Sequence, residues 1–130
     1  MKISTKGRYA LSIMLDLAIN QKEEYVSLKD ISERQGISLK YLEKIVAILN
    51  KAGYVISYRG NNGGYKLSKK PAEYKVGDIL RIAEGDLKPI DCLGTDCIKK
   101  NGCMTFPFWK GLDEAIENYV DSKTLEDLIK

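Results

Sequence analysis

Apolar residues recur at helical spacing through most of this chain and give way to a strand-like run only once. Ala10, Met14, Leu17 and Ala18, with Leu11 and Ile13 beside them, trace one buried face of a helix that starts near Thr5, a candidate N-cap. Ser27-Leu28-Lys29-Asp30 has the form of a capping box with Asp in place of Glu, and it opens a second helix with Leu28 and Ile31 turned inward. That helix stops at Gln35-Gly36, where glycine allows the left-handed backbone of a tight turn. Ile37 follows as a plug for the core. Ser38 caps a third helix that runs to about Ala52 with Leu42, Ile45, Val46 and Leu49 on its buried side, and Gly53 ends it. Tyr54 to Tyr58 then reads as a strand, Arg59-Gly60-Asn61-Asn62-Gly63-Gly64 as a hairpin tip, and Tyr65-Lys66-Leu67 as the returning strand.

Two capped helices joined by a glycine turn form a helix-turn-helix, and a basic hairpin directly after it makes a winged helix. The glycine-rich tip lets backbone approach phosphates, and Arg59 suits a narrow minor groove, where negative potential is strongest. Beyond Pro71 the pattern returns to helix over Val76–Glu84, closed by Gly85. A loop from about Lys88 to Thr105 follows, then a long helix from Pro107 to Val120. Its stripe of Phe108, Trp109, Leu112, Ala115, Ile116, Tyr119 and Val120 either pairs with a second copy of the chain or packs back on its own domain. Thr124-Leu125-Glu126-Asp127 caps a last short helix. The expected fold is therefore mainly α with a small β-wing. It divides into a winged helix-turn-helix DNA-binding domain over 1–85, a cysteine-containing loop over 86–106, and a dimerisation helix with its tail over 107–130.

Charge sharpens this division. Residues 1–70 hold 13 Lys and Arg against 6 Asp and Glu, a balance of +7, while residues 71–130 hold 8 against 12, a balance of −4. The first half can meet a polyanion and the second would be repelled by one. No apolar run approaches the length of a membrane span, so a cytoplasmic protein without membrane association is expected. At 130 residues the chain can bury a core without staples, and its odd set of cysteines, Cys92, Cys97 and Cys103, suits metal or redox chemistry better than a disulfide framework. It contains no Cys-x-x-Cys pair, no histidine and no phosphate loop, which argues against an enzyme. A structural zinc site would want a fourth Cys or His.

Lys6-Gly7-Arg8-Tyr9-Ala10, the block from Asp30 to Ser38, Tyr41-Leu42-Glu43, the wing residues Arg59-Gly60 and Gly63-Gly64-Tyr65, the cysteine loop and Thr124-Leu125 together resemble the IscR-type transcriptional regulators. That family includes the nitric-oxide sensor NsrR and the cysteine-metabolism repressor CymR. The resemblance implies a homodimer that binds double-stranded operator DNA with the third helix in the major groove and the wing in the minor groove. It implies that Ser38, Lys40, Tyr41, Glu43 and Lys44 face DNA from the helix, and Arg59 and Gly60 from the wing. It further implies an iron–sulfur cluster on Cys92, Cys97 and Cys103, [2Fe–2S] ahead of [4Fe–4S].

Thiolates are the usual ligands of such clusters, yet the chain departs from the family pattern in two ways. The first cysteine spacing is one residue shorter than usual. Where IscR-type loops place a histidine, three residues after the last cysteine, this chain has Phe106. The fourth ligand is left to Asp91, Asp96, a residue from the partner's N-terminal helix, a water or a small thiol. The position from which NsrR-like proteins supply a carboxylate is Arg8 here, which cannot ligate a metal as a cation. The alternative is a regulator of the same fold without a cluster, controlled by thiol oxidation or by a protein partner.

Overall fold

In the computed structural model, residues 2–21, 25–59, 63–93 and 102–129 are described. The chain runs α1 (Thr5–Asn20), α2 (Leu28–Gln35), α3 (Leu39–Lys51), β1 (Val55–Tyr58), β2 (Gly64–Leu67), α4 (Val76–Glu84), α5 (Phe106–Ser122) and α6 (Leu125–Ile129), with short 3-10 turns at Pro71–Glu73 and Asp91–Leu93. The expected mainly helical fold with a two-stranded wing is the one observed. Several boundaries shift by a residue or two: β1 starts at Val55, β2 at Gly64, α5 spans Phe106–Ser122, and Ser4, not Thr5, caps α1, its hydroxyl accepting from the Gly7 N–H. Ser27 and Ser38 cap α2 and α3 as the sequence predicts, accepting from Asp30 N–H at 3.1 Å and Tyr41 N–H at 3.2 Å.

The core gathers around α1. Ile13, Met14 and Leu17 are fully enclosed by Ile31 of α2, Leu42, Ile45 and Leu49 of α3, Ile79 of α4 and Leu125 of α6. Gly36 adopts the left-handed conformation (φ 67°) that a side chain would resist, and so folds α3 back across α2 with Ile37 buried behind the turn. The strands pair antiparallel in the register Val55↔Leu67, Ile56↔Lys66, Ser57↔Tyr65 and Tyr58↔Gly64. Val26 forms an antiparallel bridge on the other edge of β2, exchanging both backbone hydrogen bonds with Tyr65 at 2.8 Å. Gly64 is required there, because a Cβ would strike the Val26 carbonyl.

Two carboxylates fasten α1 to distant parts of the chain. Glu84, at the end of α4, accepts from Ser4 N–H at 3.0 Å and Gly7 N–H at 3.1 Å, filling donors that the first turn of α1 leaves open. Asp16 is only 2% exposed. It receives the Arg34 guanidinium through two bonds of 3.1 and 2.7 Å, and the Gln35 amide at 2.9 Å. Arg34 and Gln35 close α2, so this cluster pins the helix-turn-helix corner to α1. Burial pushes the Asp16 carboxyl up, but the hydrogen bonds from Arg34, Gln35 and Asn20, with the charge of Arg34, outweigh it and hold the pKa below its usual 3.8.

Because the folded-state pKa is depressed, the stabilisation from Asp16 is complete above pH 3.8 and is lost as pH falls through the lower folded value. Asp16→Ala is expected to lower stability by about 2 kcal/mol near neutral pH. Denaturant unfolding across pH should show that deficit shrinking as the solution is acidified below pH 3.8. A deficit constant through that range would mean that the carboxylate charge contributes nothing.

Candidate nucleic-acid interface and cysteine loop

The outward stripe of α3 is made by the residues the core does not use. Leu42, Ile45, Val46 and Leu49 face inward, leaving Ser38, Lys40, Glu43 and Lys44 exposed on the other side. Tyr41 is half-buried, its ring edge-on to Tyr9 of α1 at 5.5 Å, so the first turn of α3 is braced from behind. This arrangement brings together five of the seven residues expected at DNA. Arg59 is the sixth, exposed directly after β1, and Gly60 lies outside the described residues. The base of the wing is stiffened by Tyr25, which stacks on Tyr58 at 5.1 Å and lies under the Lys66 ammonium at 5.0 Å. The sequence reading missed that brace, since its parts come from both sides of the helix-turn-helix.

Two of the three cysteines fall among the described residues. Cys92 stands in the short turn Asp91–Leu93, where Asp91 is exposed. Cys103 is half-buried with its sulfur 3.3 Å from the Thr105 hydroxyl, just ahead of Phe106, which opens α5. Cys97, with Asp96, lies outside the described residues. Among the described residues, no three Cys, His, Asp or Glu side chains gather closely enough to hold a metal.

The segments flanking the loop are fixed by ion pairs to α5. Arg81 of α4 donates to Asp121 at 2.8 and 3.0 Å, to Glu117, and to Asp78 at 3.1 Å. Lys88, on the segment entering the cysteine loop, donates to Asp113 at 2.9 Å and lies 3.7 Å from Glu117. The bond to Asp121, reinforced by Glu117 against the opposing effect of burial, holds Arg81 above its usual range. Asp113 does the same for Lys88, and Asp121 is held below the usual carboxylate range by Arg81. The second oxygen of Asp113 is buried and accepts no hydrogen bond from the described residues. One signal was available in the sequence: Asp113, Glu117 and Asp121 recur every four residues and share one edge of α5.

This edge divides the expected apolar stripe. Ile116 and Val120 pack against Val76, Leu80 and Leu87, which is the packing-back alternative. Phe108 and Tyr119 stay 65% and 66% exposed, and no residue of the 17-residue α5 is fully buried.

Comparison with known proteins adds independent findings. A family profile, Rrf2, described as an iron-dependent transcriptional regulator, matches residues 3–130. The HTH-type transcriptional regulator IscR of Aliivibrio salmonicida is 42% identical over 130 residues, an alignment covering 99% of this chain and 77% of that protein. Among solved structures, IscR of T. potens superposes with a TM-score of 0.80 at 44% identity, covering 99% of this chain and 86% of that one. The structure of CymR, the global cysteine regulator of B. subtilis, gives a TM-score of 0.80 at 41% identity, covering 98% of this chain and 95% of that one.

Replacing Arg81 with Met keeps its length and removes its charge, leaving Asp78, Glu117 and Asp121 facing one another. Arg81→Met is expected to lose about 2 kcal/mol, discounted for partial exposure. Added salt should narrow the gap to wild type in thermal unfolding. A gap that salt leaves unchanged would assign the loss to packing instead.

Proposed function

This chain belongs to the Rrf2 family of transcriptional regulators, and from that premise we propose a DNA-reading homodimer whose affinity is set by an iron–sulfur cluster in the loop between α4 and α5. Its relatives are regulators and not enzymes. The observation that carries the DNA reading is the α2–Gly36–α3 corner with the polar stripe of α3 left open beside a basic wing. Lys40 and Lys44 neutralise phosphates, and Ser38 donates to one. Tyr41 lies along the backbone, and Glu43 accepts from a cytosine amino group while rejecting bases that offer only acceptors. Arg59, with Gly60 beside it, enters the minor groove. The exposed face of α5, with Phe108, Ala115 and Tyr119, is where a second copy covers apolar surface that this fold leaves in water. A two-fold dimer of that kind matches palindromic half-sites one helical turn apart. No described helix is long and apolar enough to cross a membrane.

The donor chemistry fits the cluster. Three thiolates, Cys92, Cys97 and Cys103, supply three of four places, and the fourth falls to an oxygen donor, with Asp91 beside Cys92 as the nearest in sequence. When bound, the cluster supplies a centre whose presence and oxidation state follow iron and redox conditions. The chain's own part is mechanical. Lys88 ties the entry of the loop to Asp113 and Glu117 of α5, while α4 ties through Glu84 to α1 and so to the reading head. A change in the order of the loop therefore bears on both the dimer helix and the separation of the two α3 helices. The likeness to CymR, a cysteine regulator, and the lack of histidine favour a second reading in which the thiols respond without a cluster.

Anaerobic purification with a visible spectrum and iron and sulfide analysis separates the two. The expected result is a coloured protein with both elements, and an operator affinity that differs between holo and apo forms at one salt concentration. A protein that stays colourless after reconstitution would leave the thiol reading standing. On the DNA side, Arg59→Ala should weaken operator binding several-fold and flatten its dependence on salt, measured by fluorescence anisotropy. Unchanged affinity would remove the wing from the interface.

A further inference from the structure

Leu39 is an aliphatic residue placed where the core does not use it. The other leucines of α3, Leu42 and Leu49, are completely buried, but Leu39 is 45% exposed on the outward stripe with Lys40, Glu43 and Lys44. Scattered apolar residues are ordinary on any surface, so exposure alone carries nothing here. Position and company carry it. Leu39 is the first residue of α3, and helical side chains lean toward the N-terminus, so its isobutyl group covers the ground ahead of the first turn. That end of a recognition helix is the part that reaches base edges. The turn is held in place by the Ser38 hydroxyl on Tyr41 N–H and by the Tyr41 ring on Tyr9. Leu39 sits at the edge of this stripe, next to Glu43, with Lys40 and Lys44 further round the same exposed face and placed to meet phosphates. The one apolar feature the major groove offers is the C5-methyl of thymine.

We propose that Leu39 is a specificity-determining residue that packs on a thymine methyl in each half-site. Glu43 lies one turn further along the same stripe. The pair then reads two features of opposite kind on neighbouring base pairs, a methyl group by apolar contact and an amino group by hydrogen bonding. This inference rests on the DNA-reading function proposed above.

The test uses the full chain and duplexes selected by it from a random pool. Each thymine of a selected duplex is replaced in turn by deoxyuridine, which removes the methyl and keeps the pairing, and Kd is measured at one salt concentration. Wild type should lose about fourfold at one thymine per half-site, the equivalent of one methyl-sized group no longer buried. Leu39→Ala should lose about as much on the thymine duplex and be indifferent to the methyl there. Leu39→Met, which keeps apolar reach, should retain the discrimination. Melting temperatures close to wild type for both variants verify that the fold is intact. If Leu39→Ala responds to every thymine-to-deoxyuridine change as wild type does, the inference is overturned while DNA reading stands. If selection enriches no duplex, DNA reading fails and this inference with it.

Discussion

The rest of the structure depends on the burial of α1. Ile13, Met14 and Leu17 have no contact with water, and α2, α3, β2, α4 and α6 each pack against this one helix. Core packing at crystalline density leaves such a helix little freedom to slide without disturbing all of its neighbours. Its few polar anchors add direction to that constraint. Asp16 holds the corner between α2 and α3, and the first turn receives Glu84 from the end of α4. A displacement of α4 is therefore felt at the turn that aims α3, through a stiff intermediary.

Much of the fold was legible because its signals are local. Serines at helix starts, Gly36 and Gly85 at helix ends, and the helical spacing of Leu42, Ile45, Val46 and Leu49 each act within a few residues. The wing was legible for the same reason. What escaped is what joins positions far apart. The pairs Asp16–Arg34, Arg81–Asp121 and Lys88–Asp113 obey no short period, since their partners meet only after the chain has folded. Thr5 is as good a cap for α1 as Ser4 by type, and Glu84, from the far side of the domain, favours Ser4 by accepting from its N–H. The α5 stripe was ambiguous for a physical reason. It carries two apolar faces, one for α4 and one left open, and their period is the same.

The charge asymmetry also changes meaning in three dimensions. The acidic second half suggests a surface that shuns DNA, and part of its charge, on Asp113, Glu117 and Asp121, is turned toward Arg81 and Lys88 within the fold. These carboxylates act as a joint between α4 and α5, in a half-buried setting where ion pairs are less screened than on an open surface. The basic half keeps Lys40, Lys44 and Arg59 exposed, and the second half still presents Glu73, Asp86, Asp91, Glu114 and Glu126 to water, so the contrast in sign persists at the surface.

The fastening of Lys88 to α5 has a consequence for the cysteines themselves. Chain that leaves α4 is tied to α5 at Lys88 before it enters the loop, and it comes back to the start of that helix at Phe106. The three thiols thus hang from a ring closed at both ends, not from an open tail. A loop closed at both ends has fewer conformations to lose when its donors converge than an open tail of the same length. By thermodynamic reciprocity, any group that gathered the thiols would also bear on the clasp between Lys88 and Asp113.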